Sequence, residues 1–259
     1  MALKRLPRRL RPGEEATLIE HLGELRTRLL ISIAALAVGF VFSFVFHEHL
    51  IDWLTRPLPD DKRIVTLGVT EPFFTAIKVS FYGAIALALP VLLYQLWSFL
   101  APAVQENTQR IVSLFVVIAS ALFAGGIAFG YYIVLPRAVE FLTSFDDEFY
   151  DVQIRANYYY SFVSVALLGL ALVFEMPIFI LALVRLRVLT ADRLRRNRRM
   201  GYFIVCLVAV LLPTVDPVSL AFEVIPLAIL FEASIWLSVL MERRWARASA
   251  LEEDWAADL

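Results

Sequence analysis

A chain of 259 residues that is 60% hydrophobic, with a mean hydropathy of +0.72, is far more apolar than the ~45 to 50% of a soluble domain. That balance excludes an ordinary soluble enzyme or nucleic-acid binder and predicts an all-α polytopic membrane protein. The formal net charge of −1 is near zero, and the one cysteine, Cys206, excludes an intrachain disulfide.

Residues 1–15 carry Lys4, Arg5, Arg8, Arg9 and Arg11 and are expected to form a disordered basic tail. The Arg8-Arg9 pair is followed by Glu14, Glu15 and Glu20 with no short apolar region, so no cleaved signal is expected. From Ala16 the spacing turns helical, with Leu18, Leu22, Leu25 and Leu29 on one stripe and Glu20, Glu24 and Arg28 on another. This pattern predicts an amphipathic helix on the membrane surface leading into a first span, Leu29 to Phe46.

A polar loop with Trp53, Asp60-Asp61 and Glu71-Pro72-Phe73-Phe74 follows and reads as an interfacial cap. A second span is predicted from about Val79 to Leu100 around Pro90, and a third from Ile111 to Leu135, where Gly125, Gly126 and Gly130 permit close helix approach. The fourth, Tyr158 to Val184, contains Glu175 and Pro177. The fifth, Met200 to Pro213, is only ~21 Å long and requires local thinning or burial beside longer helices. The sixth runs from Val218 to Met241. Residues 16–241 thus form one six-span domain, and residues 242–259 a C-terminal tail.

With the loops placed on alternate sides, 18 Lys and Arg fall on the face bearing both termini and five on the other, with Lys78 at a span boundary. The positive-inside rule then puts both termini in the cytoplasm.

Carboxylates inside spans are the candidate functional groups, because each costs on the order of 3 kcal/mol to insert. Glu175 fits a proton relay, a counter-charge for a polar ligand, or an acceptor for a neighbouring helix, and Pro177 should open a notch beside it. Glu223 and Glu232 are nine residues apart and so lie on opposite faces of their helix. Glu232 is expected deeper in the bundle and Glu223 nearer water. Glu24 at the rim fits either an i,i+4 pair with Arg28 or a carboxylate held to receive a guanidinium, which it can bind bidentately. The seven arginines between Arg185 and Arg199 are most simply topogenic, with anionic lipid contact a second reading. Catalytic patterns are missing: His47 and His49 are two apart rather than four, and no Gly-x-Ser-x-Gly occurs. No enzyme activity, cofactor or metal is expected.

The run His21-Leu22-Gly23-Glu24-Leu25-Arg26-Thr27-Arg28-Leu29 resembles the entry signature of the TatC family, the multispanning subunit of the twin-arginine protein translocase. So do Glu71-Pro72-Phe73-Phe74-Thr75, Pro90 through Trp97, Phe99 through Ala103, Phe174-Glu175-Met176-Pro177, Asp216, Ile225-Pro226 and Phe231-Glu232, in that order. The resemblance implies a curved, glove-shaped bundle in the inner membrane of a prokaryote that recognises the Arg-Arg motif of signal peptides on folded cargo. It further implies single-span TatA-type and TatB-type partners, self-association, contact with membrane lipids, and transport driven by the proton-motive force. By the same resemblance Glu24 and Arg26 belong to the cytoplasmic recognition surface, Glu175 is the polar point of the concave face, and Asp216 lies in the last outer turn.

Two positions depart from the family pattern. A second recognition glutamate is usual in the first cytoplasmic loop, where this chain has Thr108, and Glu106 stands two residues earlier. Either Glu106 substitutes for it or Glu24 acts with neutral acceptors; Glu106 is the preferred reading. A glutamine is common near the outer end of the sixth span, where this chain has Leu220, and Glu223 one turn inward is positioned to supply the lost polarity. The alternative function is a proton-coupled secondary transporter with Glu175 as relay, although the inverted repeat such proteins often carry is not apparent.

Overall fold

The computed structural model describes residues 18–59, 61–100, 108–145, 149, 153–186, 188–212 and 217–257. Helix α1 (Leu18–Val45) runs from the rim through the first span without interruption. The separate surface helix expected from the leucine stripe is therefore the first turns of the span itself. No proline interrupts the run, and hydrogen bonding along it continues across Gly23.

Helix α2 (His47–Thr55), strand β1 (Ile64–Val65) and the start of α3 (Glu71–Leu100) build the outer cap. The third span is α4 (Thr108–Phe129), one π turn (130–134) and α5 (Leu135–Ser144). Strand β2 (Ile154–Arg155) pairs in parallel with β1, Ile64 opposite Ile154 and Val65 opposite Arg155, so the two outer loops are joined.

The fourth span is α6 (Ala156–Phe174) and α7 (Met176–Arg185), separated at Glu175. Pro177 has no N–H to donate to the carbonyl of Val173, so the ladder is interrupted there. The chain tightens instead: the Glu175 N–H donates to Leu172 O at 3.1 Å, and the Ile178 and Phe179 N–H groups both reach Glu175 O. Helices α8 (Ala191–Arg196), α9 (Arg198–Leu211) and α10 (Pro217–Ala257) complete the described chain. Helix α9 has 14 residues, as the short fifth span requires. Helix α10 has 41 and continues through the region read as a tail.

Five helical rods are long and apolar enough to cross a membrane, and α9 is the shorter sixth. The core divides into patches between helices. Leu89, Leu93, Trp97, Phe123, Ala171 and Ile178 join α3, α4 and the fourth span, while Val205, Ala209, Leu227, Phe231 and Ile235 join α9 to α10. Small residues set the closest approaches. A Cβ on Gly126 would lie 2.7 Å from Ala171 Cα, and one on Gly201 would lie 2.0 Å from the Phe231 ring. Gly130 also faces the fourth span, but Gly125 has nothing within 4 Å and plays no part in the contact.

Candidate functional site

Near the N-terminal end of α1, Glu24 is half-buried, its side chain 32% exposed. Its Oε1 accepts from both the Nε and an Nη of Arg28, one turn on, which is the i,i+4 pair the spacing predicts. Arg28 goes further than that pair. Its guanidinium also donates to Ser98 O at 3.1 Å and Gln95 Oε1 at 3.4 Å, tying α1 to the end of α3. The other carboxylate oxygen of Glu24 has His21 Nδ1 at 3.9 Å, and the His21 ring stacks on Phe99 at 4.3 Å between centroids. Arg26 points outward and is exposed. The rim therefore presents a carboxylate braced from behind by one arginine, with an exposed arginine beside it. Glu106 lies outside the described residues, and Thr108 opens α4 with its side chain outside them.

Glu175, at the helix break, is fully buried, and among the described residues neither carboxylate oxygen has a hydrogen-bond partner. Leaving a carboxyl group this way is expensive. Asp216 lies outside the described residues.

Of the two carboxylates of α10, Glu232 faces the bundle as expected but is less deeply buried than Glu223, the one expected nearer water. Glu223 is buried, 1% exposed, whereas Glu232 is partly open and bonded to α9. Tyr202 donates to Glu232 Oε1 at 2.6 Å, and an Arg198 Nη lies 3.5 Å from Oε2. The reason is the length of α9: its first turn meets α10 at the level of Glu232, so Arg198 and Tyr202 reach that carboxylate. As predicted from nine-residue spacing, the two glutamates serve different faces.

A clamp that the sequence reading missed holds the end of the bundle where β1 and β2 pair, away from Glu24. Glu71, 7% exposed, accepts from Leu67 N at 2.9 Å and Gly68 N at 3.3 Å through one oxygen, and from Arg155 Nε at 2.9 Å and Asn157 N at 3.1 Å through the other. Lys78, at the boundary of the second span, donates to Asn157 Oδ1 at 2.7 Å. Trp53 stacks on Tyr131, whose hydroxyl donates to Trp53 O, and Tyr159 donates to Leu54 O. The tyrosines at the start of the fourth span, visible in the sequence, were the signal that this cap is built rather than loose. Between α1, α2, α3 and α6 lies an apolar cavity of about 240 Å³ lined by Phe42, Phe46, Tyr82, Leu87, Leu167 and Leu168 among others.

Five long apolar helices and the shorter α9, a broken fourth span with a buried carboxylate at the break, and a braced carboxylate at the rim define a multi-pass membrane protein. The sequence model of the family "Sec-independent protein translocase protein (TatC)" matches residues 20–226, and the chain belongs to this family. It is 34% identical to the Sec-independent protein translocase protein TatCd of Bacillus subtilis, over 90% of this chain and 96% of that one. It is also 34% identical to the TatC of Magnetococcus marinus, over 95% and 92%. A crystal structure of the twin arginine translocase receptor TatC in the detergent DDM superposes with a TM-score of 0.75 at 33% identity, covering 84% of this chain and 99% of that one. The chain is a translocase subunit, and the transporter alternative is set aside.

Proposed function

We propose that this chain is the signal receptor of its translocase: it captures the two guanidinium groups of an Arg-Arg signal peptide at the cytoplasmic rim and scaffolds single-span partner subunits. The observation that carries the reading is Glu24, whose Oε1 is committed to Arg28 while Oε2 is directed elsewhere. A carboxylate already held in place loses little freedom on accepting a guanidinium, and each charge-assisted hydrogen bond is worth ~1.5 to 3 kcal/mol. Exposed Arg26 belongs to the same surface, with Glu106 or neutral acceptors near Thr108 completing it.

The apolar part of the signal then seats along the bundle towards Glu175, with the cavity between α1, α3 and α6 as an apolar recess on its path. TatA-type and TatB-type proteins dock on the membrane helices, near Glu175, Asp216, Glu223 and Glu232. Transport is driven by the proton-motive force across the inner membrane of a prokaryote, with both termini cytoplasmic and no chemistry performed by the chain itself. Self-association completes the complex.

The test is binding of a fluorescent Arg-Arg signal peptide to the protein in nanodiscs beside a Lys-Lys version, for the parent, Glu24→Ala and Glu106→Ala. Preference for Arg-Arg that falls with either substitution supports the reading. Binding indifferent to the pair refutes it.

A further inference from the structure

The cytoplasmic ends of α8, α9 and α10 carry a basic surface that signal capture does not use. Arg193, Arg195, Arg196, Arg199, Arg243 and Arg244 are all exposed, and none has an ion-pair partner among the described residues. They belong to three helices, but one contact gathers them. The Glu242 carboxylate accepts the Ala191 N–H at 3.1 Å, fastening the start of α8 to α10 one residue before Arg243. Thr190 caps the same helix by accepting from Arg193 N at 3.3 Å. The nearest acid of the surface, Asp192, is outnumbered.

Each terminal arginine also ends an exposed apolar ladder. On α9, Arg199 is followed at four-residue intervals by Phe203 and Leu207, 63% and 48% exposed. On α10, Arg244 is preceded at the same interval by Leu240 and Trp236, 55% and 59% exposed. Side chains four apart lie one above the other on a helix, so on both helices a guanidinium stands directly over apolar surface that faces the bilayer. The boundary between charge and apolar surface fixes the headgroup level. Because α9 spans only ~21 Å, it holds its arginines at that level rather than letting them stand clear of the membrane.

From this we infer that the face formed by α8, the start of α9 and the Arg243-Arg244 end of α10 is a binding surface for anionic phospholipid of the cytoplasmic leaflet. The phosphates are bound by the guanidinium groups in bidentate fashion, and the acyl chains lie along the two ladders. An acidic protein segment would match the charge but leaves the ladders unexplained, and those favour a molecule that is anionic at one end and apolar at the other. The inference is independent of the signal-binding reading, since no residue is shared with the Glu24 rim.

Native mass spectrometry of the purified protein titrated with dioleoylphosphatidylglycerol or dioleoylphosphatidylcholine tests it. Expected is about tenfold greater retention of the anionic lipid, falling to within about twofold in R195Q/R196Q/R199Q/R243Q/R244Q, a drop that the loss of even one arginine's attraction near such a surface, about fivefold, suffices to produce. The same five changed to Lys keep the charge but not the bidentate fork and should give a preference between those of the parent and the five-Gln protein, and R56Q/R137Q on the opposite face should leave it intact. Equal retention of the two lipids by the parent, or an undiminished preference in the five-Gln protein, overturns the inference. Should that protein fail to insert, salt decides: preference in the parent must fall steeply between low and high ionic strength, and a salt-insensitive preference overturns it. Displacement of the lipid by a poly-glutamate peptide at equal potency would assign the face to a protein partner instead, and glycerophosphate matching the intact lipid would remove the role of the ladders. Either result rejects the phospholipid surface.

Discussion

Glu24 and Arg28 show how one residue serves two purposes. Arg28 reaches across to Gln95 and Ser98 of α3, and Glu24 holds it there, so removing the carboxylate also loosens the rim. Two effects are therefore expected. In Glu24→Ala, affinity for an Arg-Arg peptide falls by about ten- to a hundredfold, the worth of one or two charge-assisted bonds, while the weaker Lys-Lys binding changes little; fluorescence anisotropy in nanodiscs reads both. In Arg28→Ala, with Glu24 intact but unbraced, a smaller loss of Arg-Arg affinity is expected by the same measurement. The sequence reading contained the pair but not the brace: i,i+4 spacing is local and visible, whereas partners 67 and 70 residues away depend on how α1 crosses α3. The Glu71 clamp was invisible for the same reason. Its Arg155 and Asn157 partners lie 84 and 86 positions on, and only the pairing of β1 with β2 brings them within reach. In Glu71→Ala, four hydrogen bonds are lost at once, and the amides of Leu67, Gly68 and Asn157 should exchange with deuterium about tenfold faster. Unchanged protection there would show that the strand pairing holds the cap unaided.

Among elements, the helices themselves were legible because apolar length is a direct consequence of bilayer thickness. Five of the six expected spans are helices long and apolar enough to cross a membrane, the expected short fifth corresponds to α9, and the break in the fourth falls where Pro177 removes a hydrogen bond. What periodicity could not supply was orientation. Gly125, Gly126 and Gly130 look alike as sequence, yet only the last two face a neighbour, and the spacing of Glu223 and Glu232 predicts opposite faces without showing that Glu223 is the more buried of the two. Rotation about a helix axis is decided by packing, and every residue of an apolar span is acceptable to lipid, so the pattern carries little information about which face turns inward. The glycines make a sharp test. Gly126→Ala places a methyl group 2.7 Å from the Ala171 backbone, which cannot rotate away, so α4 and α6 must separate at a cost of ~1 to 3 kcal/mol. Gly125→Ala meets nothing and gains up to about 1 kcal/mol of helix propensity. Thermal unfolding in detergent should thus move in opposite directions for adjacent residues; equal shifts would mean the α4 and α6 contact is not as close as described.

At the scale of the whole molecule, the two faces differ in how they are held. The outer face is stitched by strand pairing, the Glu71 clamp and tyrosine hydrogen bonds to α2. The opposite face presents the Glu24 rim and exposed arginines of α8, α9 and α10 that have no ion-pair partner among the described residues, which suits a side that receives ligands while the other resists deformation. This difference has a direction in the membrane only if the basic face is cytoplasmic, and the excess of 18 Lys and Arg over five argues that it is. The orientation can be measured directly. With Cys206 replaced by Ser to remove the background thiol, single cysteines at Asp61 in the outer cap and at Asp192 on α8 are treated with a membrane-impermeant maleimide in intact cells. Asp61→Cys should label at once and Asp192→Cys only after the membrane is opened. The reverse pattern would place Glu24 on the wrong side to meet a signal peptide arriving from the cytoplasm and would overturn the receptor reading along with the topology. The expected pattern leaves the rim where cargo is made, with the braced carboxylate as the first group an incoming Arg-Arg pair would meet.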